Sequence, residues 1–200
     1  MIKNVIFDVG RVLIKYSPKK ILEDFGYSEI EVEDILELVF QNEMWQELDR
    51  GRLTKEEFIY ILGSKRPDLK EKIEYVMDNW QDHLSSIEEN TSILKDIKEK
   101  GFNLYVLSNF ESTAFKKLKD RFKYFDLFDD IVISCDVKML KPDEGIYLYL
   151  LNKHGLIPEE CLFIDDMKMN IETAKRLGMN TIWFRENINI KEELEKMGIL

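Results

Sequence analysis

The 200-residue chain has only two cysteines and two histidines, and no apolar run approaches the ~20 residues that a membrane-spanning helix needs. Each shortage closes a class of function. Cys135 and Cys161 stand far apart in strand-like segments with no metal-ligand spacing, so both read as small buried hydrophobes. His83 and His154 lie on helical segments away from any nucleophile or carboxylate pattern, which leaves them structural or surface roles. Basic residues are outnumbered, 29 Lys and Arg against 39 Asp and Glu, and a net charge of -10 argues against a surface that coats nucleic acid. An anionic substrate must therefore be met by local cations working against the global field. No internal repeat, low-complexity tract or linker interrupts the chain. With no apolar span and no signal-peptide layout at the N-terminus, the expectation is a cytoplasmic protein that engages neither membrane nor nucleic acid, as a monomer or homodimer.

The positive signal is alternation. Five short runs, "KNVIFD", "NLYVLSN", "DIVISC", "CLFIDD" and "NTIWF", are rich in Val, Ile, Leu and Phe without strict alternation, as buried parallel strands are. Helical patterns separate the later runs. "NTSILKDIKEKG" predicts a helix capped by Asn90 or Thr91, with Ile93, Leu94 and Ile97 on one face and Gly101 as its stop; "MNIETAKRLG" repeats the device with Ile171, Ala174 and Leu177 before Gly178. Between Lys15 and about Asn90 no strand is predicted. Acidic amphipathic helices follow one another there, and Thr54 with Glu57 has the form of a capping box. The expected fold is α/β, a Rossmann-like parallel five-stranded sheet flanked by helices, with a small all-helical cap inserted after the first strand. The core is expected at residues 1–15 and 90–200 and the cap at 16–89.

In an open parallel sheet, ligands bind beyond the carboxyl ends of the strands. Those ends carry Asp8 in "VIFDVGRVLI", then Ser108-Asn109, then Lys141-Pro142 after the third run, then Asp165-Asp166. Each has an ordinary explanation when taken singly, as a turn, a loop or an exposed lysine. Their convergence does not. Asp8 beside Asp165 and Asp166 in a partly buried cleft is repulsive unless a cation joins them, and a few hard oxygen ligands suit Mg²⁺.

These residues resemble the haloacid dehalogenase-like hydrolases. "FDVGRVL", "VLSN", the Lys of "LKPDEGIY" and "FIDDMKMN" are similar to that family's four motifs, in order and across the whole chain. More narrowly, "DVGRVL", "WQELDRGRLTKEEF" and "KPDEGIY" resemble a bacterial subgroup that includes a phosphatase of α-D-glucose 1-phosphate. The resemblance implies a phosphatase acting on a small phosphate ester, with Asp8 as nucleophile and Mg²⁺ ligand, the Gly10 carbonyl, Asp166 and, directly or through water, Asp165 completing the metal set, and Asn170 bracing the metal loop. Ser108, the Asn109 N–H and Lys141 would hold the phosphoryl oxygens. Those roles are chemically coherent, because an anionic nucleophile reaches a phosphate only where the charge repulsion is cancelled and fixed donors meet the equatorial oxygens.

One position departs from many phosphatases of the family: the second Asp, two residues after the nucleophile, is Gly10 here, which leaves the proton donor unassigned. Without it, good leaving groups should be favoured, a hexose 1-phosphate over a 6-phosphate. In the insertion, Trp45, Asp49, Arg50 and Arg52 sit around a tight "DRGR" corner. Trp45 is expected to wall a sugar and Arg50 to touch its hydroxyls or phosphate. The competing readings are a non-catalytic phosphate-binding or regulatory protein, a metal-independent dehalogenase, and a phospho-acceptor signalling domain, which would need neither this length nor the insertion.

Overall fold

The computed structural model describes residues 1–200. Five strands, β1 (Asn4–Phe7), β2 (Asn103–Ser108), β3 (Asp130–Ile133), β4 (Cys161–Asp165) and β5 (Asn180–Trp183), form one parallel sheet in the order β3-β2-β1-β4-β5. The chain winds outward from β1 to β3, then returns to lay β4 on the other side of β1. The order therefore reverses at the β1–β4 pair, where a crevice opens beyond the strand ends.

The continuous apolar runs follow from burial on both faces. Val5 and Phe7 of β1 pack into one core with the helices Leu94–Glu99, Ser112–Arg121 and Ile190–Lys196. Ile6 packs into another core, with Glu144–His154 and Lys168–Arg176. The helix expected from Asn90 to Gly101 is instead two pieces, Glu88–Thr91 and Leu94–Glu99. Asn90 caps neither, because its buried amide donates to the Val12 carbonyl at 2.7 Å. Cys135 lies in a helical turn, Ser134–Val137, and not in a strand; both cysteines are buried and free.

After β1 the chain turns through Val9–Leu13, and Ile14–Lys15 pairs antiparallel with Ser85–Ser86. The Ile87 N–H extends this ladder to the Leu13 carbonyl at 2.8 Å. Sequence periodicity misses such a ladder, since two residues are too few to show a period. Between its two sides lie the helices Pro18–Asp24, Glu29–Ile35, Met44–Asp49, Lys55–Lys65 and Lys70–Asn79. Capping boxes form at Ser28/Glu31 and at Thr54/Glu57, which satisfies backbone donors at two of the helix starts.

The insertion is anchored to the sheet domain at its "DRG" corner. Ser134 Oγ donates to the Asp49 carbonyl at 2.5 Å and Lys138 Nζ to the Gly51 carbonyl at 2.6 Å. Gly51 has φ +67°, and a Cβ there would lie 2.6 Å from the Cys135 carbonyl oxygen, so both the turn and the close approach demand glycine. Farther along, Trp80 stacks on Phe110 with centroids 6.0 Å apart, and Arg121 donates to the carbonyls of Gln81, Asp82 and Leu84.

Candidate active site

Asp8 follows β1 directly, and its own N–H is tied to the Ile164 carbonyl of β4 at 2.9 Å. Its carboxylate is fixed at one oxygen: Ser108 Oγ and Lys141 Nζ both donate to Oδ1 at 2.7 Å. Lys141 Nζ also donates to Asp165 Oδ2 at 2.7 Å, so one buried ammonium bridges carboxylates from two adjacent strands. Asn109 positions that lysine. Its side chain receives the Lys141 N–H on Oδ1 at 2.8 Å and returns a bond to the Lys141 carbonyl at 2.9 Å. Burial works against the Lys141 charge, but Asp165 and Asp8 outweigh it and hold the ammonium above its ordinary value.

Asp165 is saturated by protein donors. Oδ1 accepts from the Met167 N–H at 2.7 Å, and Asn170 Nδ2 reaches both oxygens at 3.0 Å. Asp166 is freer, with Arg11 Nη1 3.7 Å from its Oδ2. Carboxylate oxygens of Asp8, Asp165 and Asp166 lie within 4.8 Å of one another. Burial and the nearby Asp8 charge raise both partners, Asp165 to about 6 even though Lys141 opposes the rise. Asp8 Oδ2 and Asp166 thus offer unspent hard oxygens at a point of excess negative charge, which is the donor set a hard divalent cation takes.

A cavity of about 210 Å³ opens over these groups. The sheet domain lines it with Asp8, Gly10, Ser108, Asn109, Lys141, Asp166 and Asn170, and the insertion contributes Trp45, Asp49 and Trp80. Arg50 lies outside this lining. Its guanidinium turns to Asp143, 3.4 Å away, and to Glu47, 3.6 Å away. Arg11, Tyr16, Trp80 and Phe110 line the cavity without having been singled out from the sequence. Phe110 follows the Ser108-Asn109 pair directly, a signal that was available; Trp80 reaches the cavity only through tertiary docking. The histidines keep structural roles, His83 edge-on to Phe25 at 4.6 Å and His154 bonded to Asp130 at 2.7 Å.

Comparison with known proteins converges on one family. The chain is 26% identical to a sesquiterpene phosphatase of Aspergillus oryzae, covering 98% of this chain and 96% of that protein. It is also 26% identical to the D-ribitol-5-phosphate phosphatase of Bacteroides thetaiotaomicron, covering 97% of each. Its fold superposes with a TM-score of 0.80 on a haloacid dehalogenase family enzyme of Bacteroides thetaiotaomicron crystallised with magnesium and inorganic phosphate, at 24% identity over 96% of this chain and 99% of that one. The family model for haloacid dehalogenase-like hydrolases matches residues 4–184, from the first strand to the end of the sheet. The chain belongs to the haloacid dehalogenase-like hydrolases.

Proposed function

We propose that this hydrolase is a Mg²⁺-dependent phosphatase that cleaves a small phosphomonoester through an aspartyl phosphate on Asp8. The observation that carries the reading is the clamp on Asp8: Oδ1 is held at 2.7 Å by both Ser108 and Lys141, while Oδ2 has no protein partner in a cavity shared with Asp166. A carboxylate so held is oriented for in-line attack. As a phosphoryl group settles over it, the Ser108 hydroxyl, the Asn109 backbone N–H and the Lys141 ammonium are placed to meet its oxygens. Lys141 is the main counter-charge the chain itself supplies. Asp8, the Gly10 carbonyl, Asp166 and, directly or through water, Asp165 would hold Mg²⁺, which would supply the positive charge that lets two anions approach. Asn170 keeps Asp165 oriented.

Two curated relatives named as phosphatases and a structural neighbour holding magnesium and inorganic phosphate support this reading. A metal-independent dehalogenase would have no use for three clustered carboxylates. Residues 16–89 act as a cap over a core of 1–15 and 90–200. At about 210 Å³ the cavity is below the ~300–1,000 Å³ of sites for drug-sized ligands, which favours a small leaving group. Trp45 and Trp80 offer flat walls to the C–H faces of a sugar, so a sugar phosphate such as a hexose 1-phosphate is the substrate class.

The test is a panel of hexose 1- and 6-phosphates, ribitol 5-phosphate, farnesyl phosphate, phosphoglycolate and nucleotides, run with Mg²⁺ and with excess chelator. Hydrolysis should require Mg²⁺ and disappear in Asp8→Asn, which keeps the shape and loses the nucleophilic charge. Turnover by pure Asp8→Asn, or no phosphatase activity in the wild type, would overturn the reading.

A further inference from the structure

We propose that Asp49, carried into the cavity by the helical insertion, supplies the proton-transfer group that the core lacks at Gly10. Resting on the phosphatase reading, the inference assigns Asp49 as a catalytic residue that touches the oxygen leaving phosphorus. The sheet side of the cavity offers nothing else for this task. Ser108 and Lys141 donate to Asp8, and Lys141 also to Asp165, and both are assigned to the phosphoryl oxygens and not to the leaving one. At Gly10 an added Cβ would meet nothing within 4 Å, so the space beside the nucleophile is open and carries no functional group. Asp49 lines the same cavity from the insertion.

Asp49 is held in place. Its carbonyl accepts from Ser134 Oγ at 2.5 Å, and that hydroxyl in turn receives the Phe110 N–H at 2.9 Å, two residues after Ser108. The following residue pair is locked by Gly51 against Cys135 and by Lys138 on the Gly51 carbonyl. The corner therefore keeps register with the loop that binds phosphoryl oxygens.

Its surroundings keep the carboxyl protonated. Burial, and then the Glu111 carboxylate, push Asp49 up to about 8, while a hydrogen bond from Trp45 works the other way. The Glu111 side chain accepts from the N–H groups of Thr113 and Ala114, both at 2.8 Å. Tyr16, the other titratable neighbour, is itself raised by burial and by Asp49. The nearby cations are engaged elsewhere: Arg11 toward Asp166, Arg50 toward Asp143 and Glu47, Lys138 on Gly51, and Lys141 on Asp8 and Asp165. No ammonium or guanidinium holds Asp49 ionised.

The proton balance closes over one turnover. Asp8 Oδ forms the bond to phosphorus as the P–O bond to the leaving group breaks, and the departing oxygen takes the bond's electron pair together with the Asp49 proton, leaving as an alcohol. Asp49, now a carboxylate, takes a proton from water as the water oxygen bonds to phosphorus. The P–O bond to Asp8 breaks, its electrons return to the Asp8 carboxylate, and phosphate leaves with Asp49 protonated again.

The competing role for Asp49 is purely structural, a carboxyl beside Trp45 in the cavity wall. Asp49→Asn separates the two, since the amide keeps the shape and an acceptor oxygen and the group loses only its acidity. kcat/KM reports steps through the first irreversible one, and an aryl phosphate such as p-nitrophenyl phosphate needs little help in leaving. The expected result is a loss of ~10²-fold or more for a hexose or other alkyl phosphate and under about fivefold for p-nitrophenyl phosphate. The wild-type alkyl-phosphate profile should fall on a basic limb near the Asp49 value of about 8. That limb should vanish in Asp49→Asn and return in Asp49→Glu. Equal losses for aryl and alkyl esters, or an unchanged basic limb, would overturn the assignment while leaving the phosphatase reading intact. A wild type inactive on both esters would instead remove the reading beneath it.

Discussion

Replacing Lys141 with methionine tests how the site is held together. The side chain is 2% exposed and its ammonium is the shared partner of Asp8 and Asp165, both at 2.7 Å. Methionine matches the length of the stem and removes the charge. Two carboxylates are then left facing each other, with Asp166 close by and only Ser108, Asn170 and one backbone N–H as donors. Removing one partner of a buried ion pair costs about 3–5 kcal/mol, most of it the penalty on the charge left behind. For a chain of this size each kcal/mol is worth about 2–4 °C, so the metal-free variant should melt roughly 6–20 °C below the wild type. Two further measurements identify the cause. Excess Mg²⁺ should raise the melting temperature of Lys141→Met more than that of the wild type, because it becomes the sole counter-charge. Adding Asp165→Asn to Lys141→Met should recover part of the loss by removing one repelling charge. Thermal denaturation followed by circular dichroism, in chelator and in Mg²⁺, reads all three. A metal-free Lys141→Met protein that melts within about 2 °C of the wild type would refute the reasoning, because the ion pair would then be no better than an apolar contact.

Other consequences are as direct. Asp166→Ala should weaken Mg²⁺ binding, measured by calorimetry, more than Asn170→Ala does, because Asp166 offers free oxygens whereas Asn170 only orients Asp165; an equal effect would place the two in the same role. Trp45→Ala should change the ranking of sugar phosphates and leave aspartyl-phosphate chemistry on a small aryl ester nearly intact, and an unchanged ranking would mean that the ring does not touch the leaving group. Away from the site, Asp130 sits below the ordinary carboxylate value: burial opposes this, but hydrogen bonds from Lys153 and His154 outweigh it. A depressed folded pKa gives stability that is present above the unfolded value and lost as pH falls through the folded one. Asp130→Asn should therefore destabilise at neutral pH, with the difference from the wild type closing below about pH 4; a constant gap down to pH 2 would contradict the linkage.

The sheet and the cluster of polar side chains around Asp8 were legible because both are written in short-range pattern. Buried parallel strands announce themselves as unbroken apolar runs, and the rule that ligands sit beyond their carboxyl ends turns five such runs into a short list of side chains. What escaped depends on which partner a side chain meets across the fold. Asn90 has every local feature of a helix cap, yet its amide is taken by Val12 from a different part of the chain. Asn109 was expected to contribute an N–H, while its side chain proved to be the brace of Lys141. At the "DRGR" corner Asp49 and Arg50 are neighbours in sequence, and nothing local says which of them faces the cavity. The docking of Gly51 on Cys135 sends the guanidinium toward Asp143 and leaves the carboxyl in the cavity, and no local pattern encodes that choice.

The two-residue ladder between Ile14–Lys15 and Ser85–Ser86 bears on how such a protein can be altered. Because the chain leaves and re-enters the sheet domain side by side, the ladder ties β1 directly to the segment that starts the helix after Ile87. A cassette of different length spliced between the same two pairs should keep that junction in register, provided it replaces the contacts that Asp49, Gly51 and Trp80 make with the sheet domain. The exchange is not confined to the walls around the leaving group, however. Asp49 travels with the cassette, so a replacement that brings no carboxyl to the "DRG" corner would keep a working nucleophile and lose its partner in proton transfer. Redesign of substrate choice in this scaffold must therefore treat the acid and the binding walls as one heritable unit.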